Sequence, residues 1–416
     1  MKPLQGIRKL QFIASLIVII VISVALSPAF GQEFSFKGSR KKSSMRFKLV
    51  KNLIIVPLYL NNTGPFNFIL DTGVSPLVVT DASITDSLKL KYLKPTKIVG
   101  LGKGPEIQAL ITSEMSVNIG KARIEHIPAA ILKEDFLGLS NYVGMKIHGL
   151  IGYYFFNSFI VSINYPSQSI SFGLPDSKMK LKGEPIPFEL ISNKPYITVG
   201  IELADLGIKD AKVLVDNGAG HAISLERWKD EPFPLPKEVI SASLGNGLSG
   251  PISGKIGRLS TLIIGSFTFK DAIASFPIYE DAAAKALLLN RNGNLGADLL
   301  SRFNTTYDYK NGNLYLTKNI FFKRPFDHDM SGLEVYTDET KSKRFFVMRI
   351  ETKSPGEASG VEINDEILAI NFAATEKMDL NEITRLFRSG DGKNVLLTLN
   401  RKGELLFKLI KLKRRI

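Results

Sequence analysis

A shift of 145 residues lays one half of this chain on the other. Asp71 of "FNFILDTGVSPLVVT" then falls on Asp216 of "AKVLVDNGAGHAISL", Gly100 and Gly102 of "VGLGKG" on Gly245 and Gly247 of "SLGNGL", and Ile119-Gly120 on Ile264-Gly265. A shift of 144 carries Gly149, Ile151 and Gly152 onto Gly293, Leu295 and Gly296, and Tyr165 onto Tyr309. A register held over so long a stretch marks a duplicated unit, and each copy must then build the same local structure.

Each copy reads as β. Runs such as 53–60, 66–70 and 196–201 are rich in Val, Ile, Tyr and Phe and are bounded by Asn, Gly and Pro. Asn311-Gly312, between "TYDYK" and "NLYL", predicts a hairpin. The Pro, Gly and Lys of "GLPDSKMKLKGEPIPF" mark a connector. The expected fold class is therefore mainly β, with a first lobe at 45–175 and a second at 185–320.

At 416 residues, 44% hydrophobic and 23% charged, the chain can bury a real core and is not a disordered polymer. It has no cysteine, which excludes thiol catalysis, disulfides and a lipid-modified cysteine. Lys2, Arg8 and Lys9, the apolar run 12–26 and the small-residue pattern Ala29-Phe30-Gly31 predict a secretory signal over 1–31. An uncleaved membrane anchor is the alternative. Export without disulfides suits a bacterial periplasm or surface. The formal charge of +14 is concentrated in part in "RKGELLFKLIKLKRRI". The alternation there predicts a half-exposed terminal strand with its basic residues outward, a solvated face and no nucleic-acid site.

In each copy an apolar run delivers an acid followed two residues later by glycine. An approximate two-fold axis brings equivalent points of a duplicated lobe face to face, so Asp71 and Asp216 are expected to meet. Two carboxylates forced close cannot both ionise cheaply and share a proton. The ionised one can accept a proton from water while the other donates to a carbonyl oxygen, which is hydrolysis without metal, cofactor or covalent intermediate. Other motifs are weak. "GPISGKIG" lacks phosphate-loop spacing, "GLGKG" lacks the dinucleotide fingerprint, and the four histidines show no metal-ligand spacing.

"FILDTGVSPLVV" with "HGLIG", repeated as "VLVDNGAGHAIS" with "GNLGA", resembles the pepsin-type and retropepsin-type aspartic proteases. The resemblance implies a two-lobed aspartic-protease fold with Asp71 and Asp216 as the catalytic pair and Thr72, Gly73, Asn217 and Gly218 supporting their loops. It also implies flaps over the substrate at Gly100, Leu101 and Gly102 and at Gly245, Asn246 and Gly247. Asn217 departs from the pattern, since the family has a hydroxyl there that hydrogen-bonds across to the opposite lobe. The interlock is expected to persist in altered geometry. Val74 and Ala219 stand where acid-working members have a hydroxyl that donates to the ionised carboxylate. Its absence on both sides predicts that the shared proton is held to higher pH, with an active window in mildly acidic to neutral solution.

Beyond residue 330 the texture changes, and "SPGEASGVEINDEILAIN" resembles PDZ domains, with a helix expected from Asp379 to Arg388 and a domain spanning 330–414. Gly332, Leu333, Glu334 and Val335 lie where that family's carboxylate-binding loop begins, and they imply a peptide ligand added as a strand. A module that docks on the lobes is the alternative. Together these readings give an exported, monomeric aspartic endopeptidase with a protein or peptide substrate and no membrane contact once the signal is removed. The rival is a pseudoprotease that binds peptides without cutting them.

Overall fold

The strand Leu53–Leu60 shows why the copies are β: its first four residues are buried, and the side chains then alternate, with Pro57 and Tyr59 outward. It turns back through Asn61 and Asn62, both left-handed at φ 46° and 64°, and pairs antiparallel with Thr63–Leu70. Two left-handed residues match the twist of the flanking strands. The computed structural model describes residues 33–98, 107–135, 137–203, 207–247, 250–278, 291–338 and 343–416. The expected signal segment lies outside them. Among the described residues no helix is long and apolar enough to cross a membrane.

Each copy builds one sheet with the same topology. In the first, Gly149–Ile151 runs parallel to Thr63–Leu70 and antiparallel to Leu77–Val79. In the second, Gly293–Gly296 runs parallel to Gly207–Asp216 and antiparallel to Ile223–Leu225. The long hairpin Ile107–Ile119 with Ala122–Leu132 answers to Gly250–Ile264 with Phe267–Pro277.

A third sheet joins the copies. Its six strands run Glu184–Pro187, Asn313–Lys318, Phe303–Asp308, Ile160–Asn164, Ser169–Gly173 and Lys42–Arg46. At its centre Ser162 pairs with Thr306, and their hydroxyls lie 2.7 Å apart. These two positions are 144 apart, the repeat itself, so the pseudo-two-fold axis passes between them. The lobes consequently share one apolar core, in which Phe155, Phe156, Tyr307 and Phe303 are fully buried. The first copy also starts ahead of the expected residue 45, since Phe34 is in that core and Lys42–Arg46 is a strand of the joining sheet. The Asn311-Gly312 hairpin forms with a four-residue connection, because the Asp308 carboxylate accepts the Asn311 N–H and Nδ2 and closes a wider turn.

The C-terminal module has its own core, including Phe345, Val347, Ile383 and Phe387, beneath a sheet ordered Leu333–Thr337, Phe345–Ile350, Glu366–Ile370, Asn394–Arg401 and Glu404–Lys411. Its helix Leu380–Phe387 starts at a capping box in which Asp379 and Glu382 each accept the other's backbone N–H at 2.8 Å. Leu380, Ile383 and Phe387 form its buried face. The last strand corrects an expectation. Leu405, Phe407 and Leu409 point outward, whereas Lys408 lies on the inner side with the buried Ile410. Ile410 completes the module's core, and a period of two then puts the other parity in solvent.

Candidate active site

Asp71 follows the strand Thr63–Leu70 and Asp216 ends Gly207–Asp216, so both acids sit at the same end of equivalent strands. A glycine closes each strand's neighbour. A methyl group on Gly152 would lie 2.0 Å from the Asp71 carbonyl oxygen, and one on Gly296 would lie 2.2 Å from that of His221. Only glycine lets the acid loop pack this closely. Within each loop the second residue after the acid donates back to it, Gly73 N–H to Asp71 Oδ1 at 2.6 Å and Gly218 N–H to Asp216 Oδ1 at 2.9 Å.

The loops face each other across the axis. A Cβ on Gly218 would meet Asp71 Oδ2 at 2.3 Å, and one on Gly73 would meet Asp216 Cγ at 3.4 Å, so the two carboxyls stand close together. Burial, and then the Asp216 charge, hold the Asp71 carboxyl well above its ordinary range, against the opposing pull of the Gly73 N–H and the Lys194 ammonium. Desolvation in turn lowers the Lys194 ammonium. A carboxyl so placed keeps its proton in solutions where a free aspartate has lost it.

The interlock between the loops is one-sided. The fully buried Thr72 hydroxyl donates to the Val215 carbonyl at 2.6 Å and accepts the Asn217 N–H at 3.0 Å. Asn217 does not return the contact, contrary to the expectation of a persisting link. Its Oδ1 accepts the Tyr307 hydroxyl at 2.9 Å within its own half. Tyr307 stands where the first copy has Ile163, so the exchange of hydroxyl for amide is matched by a phenol behind it. Thr72 alone ties loop to loop.

The donor expected to be missing from both acids is missing only from Asp71. Asn294 Nδ2 donates to Asp216 Oδ2 at 2.9 Å, while Asn294 Oδ1 lies 3.0 Å from His221 Nε2. The signal for it lay in "GNLGA", where a polar side chain interrupts a strand whose first-copy counterpart carries Leu150. Two further contacts also escaped sequence reading. Asn52 Nδ2 donates to the Gly220 carbonyl at 3.2 Å, and Asn193 Nδ2 donates to the Ser75 hydroxyl at 2.9 Å. Gly220 and Ser75 are repeat-equivalent, so each lobe's first hairpin turn braces the other lobe's acid loop.

A cavity of about 510 Å³ opens beside the second acid loop. Gly245 and Gly247 of the second predicted flap line it together with Gly218 and Ala219. Asn246 lies between those glycines at the turn-side end of the strand Val239–Gly247. Gly100, Leu101 and Gly102 of the first predicted flap lie outside the described residues. Tyr142 of the first lobe forms another wall of the cavity, and Glu334, Val335 and Tyr336 of the C-terminal module close it.

That module is therefore docked against the lobes. The Lys51 N–H donates to Asn381 Oδ1 at 3.0 Å, and Asn381 Nδ2 donates to the Leu49 carbonyl at 3.1 Å. The Lys51 ammonium lies 4.0 Å over the Tyr142 ring, and burial pushes it down to about 8. Gly144 sits between the strand Leu333–Thr337 and the helix Leu380–Phe387, where a Cβ would meet Thr337 Oγ1 at 3.2 Å and Leu380 Cδ2 at 3.4 Å. The first lobe thus meets one end of the groove a peptide strand would enter, while a cavity of about 760 Å³ lined by Gly332, Leu333, Glu334, Val335, Ile383 and Phe387 remains along it. At its head the Gly332 and Ser331 N–H groups already donate to Asp329 Oδ1 at 2.7 and 2.9 Å, and the Leu333 N–H donates to Ser331 Oγ at 3.0 Å. Leu333 and Val335 are buried, and Glu334 is half-buried near Arg349 at 3.9 Å.

Residues 56–155 match the aspartyl protease family, and residues 346–401 match the PDZ domain family. No curated relative matches the chain. The first match covers the lobe of Asp71, and the second lobe repeats its topology and its acid loop. By motif, topology and match together, the chain joins an aspartyl-protease-type domain to a C-terminal PDZ domain.

Proposed function

We propose that this chain is an exported aspartic endopeptidase that acts as a monomer, both acids coming from one polypeptide. A water between Asp71 and Asp216 attacks the scissile carbonyl carbon. The ionised carboxyl accepts the proton of that water, and the protonated one donates to the carbonyl oxygen. As the tetrahedral intermediate collapses, the proton held by the first carboxyl passes to the leaving nitrogen, and the second recovers its own from the hydroxyl. The observation that carries this reading is the pair of acid loops facing each other at close range, with burial and the Asp216 charge holding the Asp71 carboxyl well above its ordinary range. Asn217 lies behind the pair and does not part the carboxyls, which favours cutting over peptide binding alone. The PDZ domain acts at the same cleft through Glu334, Val335 and Tyr336, where it contacts the protein or peptide substrate.

The experiment is hydrolysis of a peptide library by the purified chain, with Asp71→Asn and Asp216→Asn as controls. The two acids act as a unit, so either change removes nearly all activity. Hydrolysis that survives in Asp216→Asn would sink the two-lobe mechanism. Export rests on the basic, apolar and small-residue order of 1–31, and fractionation of expressing bacterial cells tests it.

A further inference from the structure

The two acids are related by the repeat, but their surroundings are not. Asp71 receives the Gly73 N–H, and the repeat-equivalents of Asn294 and His221 on its side are Leu150 and Pro76, neither of which has a side-chain donor. Asp216 receives the Gly218 N–H and also Asn294 Nδ2, and Asn294 is held from behind by His221. An amide presents a donor at one end and an acceptor at the other, so its orientation depends on what holds the far end. Burial lowers the His221 imidazole and keeps it neutral, able to donate from Nε2 to Asn294 Oδ1. The near end is then N–H, which suits a carboxylate. The flipped amide would turn its oxygen on the carboxylate.

We propose that Asn294, oriented by His221, is a positioning residue that places the negative charge of the pair on Asp216 and leaves the shared proton on Asp71. The groups facing Asp216 electrostatically are Asp71, Lys194, Tyr196, His221 and Tyr307, with Asp298 beyond His221 and Arg291 beyond Lys194. Lys194 acts on both acids and more strongly on Asp71, so it opposes this placement and the Asn294 amide must outweigh it. The Asn294 amide is bonded to one acid only. The kinetic part of the proposal rests on the protease reading, whereas the protonation part does not.

The test therefore has two readouts. Carbon-13 NMR of aspartate carboxyls in the full chain, assigned with Asp71→Asn and Asp216→Asn, follows which acid loses its proton first. Asp216 is expected to ionise first in the unaltered protein. Asn294→Leu, which installs the first-lobe residue with the same branching at Cγ, should raise the pair's first ionisation by about one to two pH units, the size expected of one hydrogen bond to a charged group. The acidic limb of kcat/KM should move by the same amount. His221→Leu should shift it in the same direction, and His221→Gln, which keeps a donor near Nε2, should restore it. If Asn294→Leu does not fold, the two His221 variants decide alone. Ionisation of Asp71 first, or a first step unmoved by Asn294→Leu and by His221→Leu, overturns the proposal. Absence of hydrolysis with the expected NMR shifts instead overturns the protease reading and leaves the positioning role standing.

Discussion

Thr72→Val exchanges one hydroxyl for a methyl of similar size, so it opens no cavity and tests the interlock directly. Two bonds vanish, the one to the Val215 carbonyl at 2.6 Å and the one from the Asn217 N–H at 3.0 Å. Each buried bond contributes about 1 kcal/mol net, and a buried N–H left without a partner costs about 1–3 kcal/mol, so the loss should total about 2–4 kcal/mol. Thr72→Ser keeps the hydroxyl and removes one methyl, worth about 1 kcal/mol or less. Urea unfolding provides the assay, followed by fluorescence of Trp228, the chain's single tryptophan, which packs on Phe233 at 5.7 Å. Trp228 is in the second lobe, but the lobes share a core and the joining sheet, so it reports a contact anchored in the first. Peptidase activity should fall with stability in Thr72→Val, because nothing in Asn217 replaces the link. A loss below about 0.5 kcal/mol, the scatter of ordinary surface changes, or an equal loss in Thr72→Ser, would refute the one-sided interlock.

Asn217→Thr alone strands the buried Tyr307 hydroxyl, so Asn217→Thr with Tyr307→Phe should be more stable than Asn217→Thr by about 1–2 kcal/mol. A double-mutant cycle in urea measures this, and strict additivity would argue against the pairing. Asp71 has a raised carboxyl in the fold, so its favourable contribution is full below its unfolded value near 3.8 and is lost as pH rises through the folded value. Asp71→Asn removes that loss, and its melting temperature relative to the unaltered chain should climb as pH rises above about 4. His328 shows the opposite sign. Burial pushes it down from 6.5 to about 4, and its neutral ring accepts the Arg415 N–H at Nε2 (3.3 Å) with Nδ1 against the Asp329 carbonyl (2.5 Å). Its stabilisation is full above pH 6.5 and is lost as pH falls toward 4, and the pH dependence of unfolding should flatten in this window in His328→Gln.

The duplication, the two acids, the glycines behind them and the capped helix at Asp379 were all legible in the residues. Each is encoded locally, by a period, by a spacing or by a backbone position that only glycine can occupy. Burial of Asp71 followed as well, since an acid at the end of "FIL" is carried inward by its own strand, whereas Asp216 stays partly exposed. What could not be read was which side chain meets which across the axis. Asn217 and Thr72 are repeat-equivalent, yet one turns back to Tyr307 and the other crosses, because Tyr307 is brought behind Asn217 only by the joining sheet. Asn294, Asn52 and Asn193 reach their partners over long separations that no local pattern records. The terminal strand carries the same lesson at its simplest. Its alternation groups Leu405, Phe407 and Leu409 on one face and Leu406, Lys408 and Ile410 on the other. Neither face is marked as interior by the pattern itself. The helix and strands packed beneath Ile410 made that choice, and burial of one parity put the other in water.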